Sequence, residues 1–176
     1  MQYFLGANTA RGFVSLYDRF TKPGDFLWVI KGGPGCGKSS FMRRIGMAAE
    51  AAGHEVDYVL CSGDPDSLDG IYIKDLHLAY VDGTAPHAQE PAHPGADGNY
   101  LNLGAHLDSA ALRPKLSRLA ELTSAYRAKY AQAYEALAEA KVLHDELEAV
   151  YHPHVDFGGV NALADKHIQR LFGPGT

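Results

Sequence analysis

Residues 28–45 read WVIKGGPGCGKSSFMRRI. An apolar run ends in a glycine cluster. The cluster ends in a lysine, two serines and a segment with helical apolar spacing. Glycine removes β-carbon clashes, so it suits a chain that must curl with its N–H groups inward. A helix opening straight after such a curl presents unpaired N–H groups and roughly half a unit of positive charge. Gly32, Gly37, Lys38 and Ser39 fit the spacing G-x-x-x-x-G-K-[ST]. The expected ligand is a phosphate chain, as in ATP. Gly33, Pro34, Gly35, Cys36, Gly37, Lys38, Ser39 and Ser40 are expected to cradle it. Lys38 is expected to reach the β and γ phosphates, and Ser39 to ligate Mg2+.

Outward from this stretch, short apolar runs at 2–5, 26–31, 56–62, 76–82 and 100–103 read as strands. Residues 12–20 read as a short helix. Runs 26–31 and 56–62 are mostly apolar rather than alternating, as in strands covered on both faces. Residues 39–52 between them read as a helix, with Phe41, Met42, Ile45 and Ala49 on one face and Gly53 as its stop. Strand, helix, strand at this spacing predicts a βαβ unit and a parallel sheet. The expected fold is α/β: a three-layer P-loop NTPase core with a mostly parallel sheet, residues 1–108, followed by a long helical arm in residues 109–176.

The arm is read from a change of texture. Residues 109–151 contain no glycine and are rich in Ala, Leu, Glu and Lys. From 112 to 151, steps of four and three land on Leu, Leu, Leu, Thr, Tyr, Tyr, Ala, Leu, Ala, His, Leu and Tyr. This is a heptad seam with two polar members, Thr123 and His144. One helix over 114–151 would run roughly 55 Å, longer than a small domain is wide. A projecting, coiled-coil-like arm with one apolar seam needs a partner. Residues 160–172 are a candidate start for an antiparallel return, and self-association or another protein is the alternative.

An acid is needed to help hold Mg2+. Asp82, at the end of the strand over 76–82, is the expected metal-side acid. The rivals for that role are Asp64, Asp66 and Asp69 in CSGDPDSLDG (61–70), where aspartates otherwise form turns, and Asp64 or Asp66 is a candidate to orient a water or substrate instead. No N-K-x-D motif is present, and Asp82-Gly83-Thr84-Ala85 is not D-x-x-G, which excludes a switch-type GTPase reading. Gly83 stands where many ATPases carry a glutamate, and Glu90 is a candidate substitute. No Lys or Arg lies between Lys74 and Arg113, which weighs against an arginine lid in that segment.

His87, Glu90, His93 and Asp97 form one loop group, and His152, His154 and Asp156 another. Neither has the spacing of an established metal site. Net charge is −5, which gives no sign of nucleic-acid binding, and no apolar run approaches a membrane span. Two cysteines, Cys36 and Cys61, make neither a disulfide framework nor a zinc set, and a reducing cytoplasmic setting is expected. The leading expectation is a Mg2+-ATP-dependent hydrolase with a moving arm. The alternatives are a small-molecule or nucleotide kinase, with His87 or Asp64 near the acceptor, and a non-hydrolysing ATP-binding regulatory module.

FLGANTARGFVSLYD, KGGPGCGKSS, CSGDPDSLDG, VDGTAPH and PGADGNYLNLG together resemble a family of uncharacterised bacterial P-loop ATP-binding proteins. The resemblance covers most of residues 3–107. Such proteins look like two P-loop halves in tandem, about twice this length, and the chain is similar to the first half. What the resemblance implies is nucleotide and Mg2+ binding.

Overall fold

The computed structural model describes residues 1–85 and 89–173; His87, named above as a candidate, lies outside them. The strands are β1 (Gln2–Tyr3), β2 (Gly6–Thr9), β3 (Gly12–Ser15), β4 (Phe26–Lys31), β5 (Val56–Leu60), β6 (Leu68–Ile73), β7 (Leu78–Asp82) and β8 (Gly98–Asn102). The helices are α1 (Lys38–Ala51), α2 (Ser109–Leu112), α3 (Leu116–Tyr151) and α4 (Phe157–Phe172).

Six strands form one sheet in the order β1-β5-β6-β7-β4-β8, and β2 and β3 form a separate hairpin. β4 is parallel to both β7 and β8, and β1 is parallel to β5. β6 is antiparallel to both its neighbours, β5 and β7. The fold is therefore α/β, with a mostly parallel six-stranded sheet. β4 and β5 run the same way, as the strand–helix–strand reading requires. They are not adjacent, because β6 and β7 lie between them.

β6 begins inside the aspartate-rich segment 61–70, where the sequence predicts a turn rather than a strand. All six of its residues are buried. Residues 12–20, expected as a short helix, instead carry β3 and a 3₁₀ turn over Tyr17–Arg19. Gly12, at φ 85°, closes the hairpin from β2 in a left-handed conformation that suits glycine and turns the chain into a strand.

The sheet separates two apolar layers. On the α1 side, Ile30, Met42, Ala49, Leu68 and Ile71 are buried together, with Phe41 and Ile45 of the helix packed against them. The helix thus buries the face its spacing defines. On the other side lie Leu27, Val29, Val59, Ala79 and Val81. Tyr17 and Phe20 cover them from the 3₁₀ turn, meeting edge to face with ring centroids 6.1 Å apart. Val29, Ile30, Met42 and Val81 are fully buried, so the strand–loop–helix unit rests on the best-packed part of the molecule.

α3 is one unbroken helix of 36 residues, about 54 Å long. All but two of its side chains are exposed; those two, Tyr130 and Tyr134, are half-buried. The Tyr134 hydroxyl donates to Asn8 Oδ1 at 2.8 Å, and Asn8 Nδ2 donates to the Ser62 carbonyl at 3.0 Å. Tyr130 sits where a β-carbon on Gly63 would be. The arm therefore docks through its middle onto β2 and the turn after β5. α4 follows as a separate helix, capped by Asp156, whose carboxylate accepts from the Gly159 N–H at 2.9 Å. Every residue of α4 is exposed.

Candidate functional site

β4 delivers the chain to Gly32, and α1 takes it up at Lys38. Two glycines between them have left-handed backbones, Gly35 at φ 74° and Gly37 at φ 89°. A β-carbon at Gly33, Gly35 or Gly37 would meet nothing within 4 Å, so the curled loop borders open space. At Gly32 the reverse holds: a β-carbon would collide with Cys36 Sγ. Gly37 is the N-cap of α1 and provides no side-chain cap, and the first turn carries no acid. The helix N-terminus, with its unpaired N–H groups and partial positive charge, faces outward at the loop.

Lys38 is 9% exposed although it carries a charge. Its ammonium donates to the Gly32 carbonyl at 2.9 Å and the Gly33 carbonyl at 3.0 Å. It also lies 3.6 Å from Asp82 Oδ2. Asp82 ends β7 opposite Ile30 of β4, so the sheet register itself brings the acid beside the loop. The carboxylate accepts from the Thr84 N–H at 2.9 Å and from the Thr84 hydroxyl. Ser39 Oγ accepts from the Leu68 N–H at 2.9 Å, which ties the start of β6 to the start of α1. That bond uses one acceptor site of the hydroxyl and leaves the other.

Lys38, Ser39 and Asp82, expected together, are thus together. Ser40 and Cys36 line an adjoining groove of about 580 Å3 along α1, with Arg44 and Leu103. Pro34 sits at the loop turn and is exposed.

The aspartate-rich turn sorts itself by burial. Asp64 is exposed and shapes its own turn: its carboxylate accepts from the Ser67 hydroxyl at 2.8 Å and the Asp66 N–H at 3.3 Å. Asp66 is exposed, and its carbonyl accepts from the Arg43 guanidinium at 2.7 Å. Asp69, grouped with them in the sequence reading, is only 5% exposed. The β5–β6 register shifts there, with Val59 opposite Gly70 and Leu60 opposite Leu68, so Asp69 is the extra residue of a bulge. Its carboxylate lies beside the Tyr17 hydroxyl and the Cys61 thiol. Burial, then the charge of Asp69, pushes the Tyr17 hydroxyl far above the ordinary tyrosine range. Burial likewise pushes the Cys61 thiol up, and Asp69 adds to that shift. A bulge cannot be read from apolar alternation, so the sequence does not separate this buried acid from its two exposed neighbours.

Glu90 pairs with Lys31 at 2.6 Å, and that bond holds its carboxyl below the usual range. His93 and Asp97 close a turn, with the ring 2.9 Å from the carboxylate and the His93 N–H donating to it at 2.8 Å. His152 stacks on Phe157, centroids 4.8 Å apart, while Asp156 caps α4. Among the described residues, the side chains close enough to share a metal are His144, Asp145 and Glu148 on the exposed surface of α3. Asp145 there pairs with Lys141, an ordinary i,i+4 surface contact.

No family model, curated protein or solved structure matches the chain. N–H groups at an uncapped helix start and an ammonium are donors suited to a phosphate chain. A hydroxyl and a carboxylate are oxygen ligands suited to Mg2+. Open space on the loop gives room for both. No described helix is long and apolar enough to cross a membrane.

Proposed function

We propose that the chain is a three-layer P-loop NTPase core that binds ATP with Mg2+ and hydrolyses it, with the nucleotide state felt by the α3 arm. One observation carries the reading: a nearly buried ammonium, Lys38, and a nearly buried carboxylate, Asp82, meet at the mouth of an uncapped helix. A lysine held this way loses solvation and pairs only partly, through carbonyls and one carboxylate at 3.6 Å. Negatively charged phosphate oxygens satisfy it better.

In this reading the N–H groups of residues 33 and 35–40 and the Lys38 ammonium hold the phosphates, and Ser39 and Asp82 hold Mg2+. The ion would neutralise phosphate charge as the terminal group departs. Thr84 fixes the Asp82 carboxylate in place. Glu90 is taken by Lys31, so it does not serve as the base that polarises water. Turnover is accordingly expected to be slow.

The arm is coupled by a short chain of hydrogen bonds. Ser39 is bonded to Leu68, which follows the 61–67 turn. Ser62 of that turn is bonded to Asn8, and Asn8 to Tyr134 of α3. A ligand that pulls on Ser39 therefore acts on the turn beneath the arm.

Thermal unfolding with Mg2+-ATP at 100 times its dissociation constant should show a gain of about 2.7 kcal/mol. Lys38→Ala should remove most of it. Phosphate release without an added acceptor distinguishes hydrolysis from transfer. Equal gains in wild type and Lys38→Ala would overturn the assignment.

A further inference from the structure

α3 carries its charges in an order that an isolated helix disfavours. Acids stabilise a helix near its N-terminus and bases near its C-terminus, through the backbone dipole. Here Arg113, Lys115, Arg118, Arg127 and Lys129 stand against the single Glu121, so residues 113–130 carry net +4. Glu135, Glu139, Asp145, Glu146 and Glu148 stand against the single Lys141, so residues 131–151 carry net −4. The first turn holds no acid and the last turn no base. Every one of these charged residues is exposed.

An apolar stripe accompanies the charges. Leu119, Leu122, Tyr126, Leu137, Leu143 and Leu147 fall on one side of the helix, beside the face by which Tyr130 and Tyr134 dock to the core. Each is between 39% and 66% exposed. Exposed apolar side chains gathered on one side of a long helix call for another helix against them.

We propose that the occupant is a second copy of this chain, its α3 lying antiparallel along the first. Antiparallel packing sets the basic stretch 113–130 of each copy, which leads into α3, against the acidic stretch 131–151 of the other, twice over. It buries both stripes and cancels both unfavourable dipole arrangements. Parallel packing would set like halves together. The inference does not rest on nucleotide binding.

The test is sedimentation of the whole chain with two charge-reversed variants. One carries Arg113→Glu, Arg118→Glu, Arg127→Glu and Lys129→Glu. The other carries Glu135→Lys, Glu139→Lys, Glu146→Lys and Glu148→Lys. Wild type is expected at twice the 19.0 kDa chain mass. Raising salt from 0.05 to 0.3 M should loosen it, because exposed charges are screened. Each variant alone should dimerise about 10-fold more weakly or worse. Each should nonetheless remain helical by circular dichroism, since every reversed side chain is exposed. Mixing the two variants should restore the dimer as a heterodimer. A wild type that stays monomeric to about 100 μM, where a weak coiled coil would associate, overturns the proposal. So does a dimer that salt strengthens, or a mixture that fails to recover.

Discussion

Gly37→Ala isolates what the loop backbone itself costs. Gly37 has φ 89° and ψ 16°, and a β-carbon there would touch nothing within 4 Å. Steric crowding from neighbours is thus absent, and only local strain remains. An L-residue in the left-handed region costs roughly 1–2 kcal/mol. Alanine is also a poorer N-cap than glycine, which adds a few tenths. Against this, alanine restricts the unfolded chain and regains about 0.4–1 kcal/mol. The net expectation is a loss of about 1 kcal/mol, or about 2–4 °C in Tm for a chain of this size. Gly33→Ala is the matched control. It is in the same loop and equally uncrowded, but its backbone is not left-handed. It should be neutral or gain about 0.4–1 kcal/mol. Urea unfolding with unchanged m-value reads both directly. The two variants should differ by about 1.5–2 kcal/mol on those terms. If they unfold together, within about 0.5 kcal/mol, a typical surface-substitution spread, the strain argument is wrong. The same pair also probes the ligand: Gly33→Ala adds a methyl at the loop without a stability cost, so weakened Mg2+-ATP binding in that variant reports occupation of the loop.

Asp82→Asn should leave Lys38 with carbonyl partners only and reduce Mg2+-dependent binding, while magnesium-free nucleotide binding falls far less; titration calorimetry with and without the metal separates the two. Tyr134→Phe removes one hydrogen bond from arm to core, and about 0.5–1.5 kcal/mol is expected, seen as faster amide exchange around residues 126–138 and in β2. Asp25 gives a pH signature. Burial alone would raise its carboxyl, but the Lys22 N–H, His77 and Tyr72 together outweigh that and hold it below the usual 3.8. A group lowered on folding contributes fully above its unfolded value and loses that contribution as pH falls through the folded one. Acid unfolding of wild type should therefore steepen below about pH 4, and Asp25→Asn should flatten it.

β4, α1 and β7 were legible because each is a short, strongly patterned run with a stop signal at hand. Lys38, Ser39 and Asp82 were legible for the same reason: two come from one motif and the third from the end of an apolar strand. α3 was legible from its glycine-free texture, rich in Ala, Leu, Glu and Lys, together with its four-three spacing. β6 was not, since it begins inside a segment whose aspartates, serine and proline all signal a turn. Its partners, β5 and β7, lie on either side in sequence, and only the bulge at Asp69 reconciles the turn with full burial. Strand order was also beyond reach: β4 and β5 look adjacent in sequence, yet the meander β5-β6-β7 inserts itself between them. Glu90 and Asp64 had suitable chemistry, but their partners, Lys31 and Ser67, engage them otherwise.

That meander has a consequence for how the molecule comes together and apart. Residues 56–82 can pair among themselves through short connections, whereas β4 joins them at β7 only across about fifty residues of chain that include α1. Lys38 follows β4, and Asp82 ends the meander. The two charges therefore straddle the joint between these units, and a partial opening there would part them while leaving most of the sheet standing.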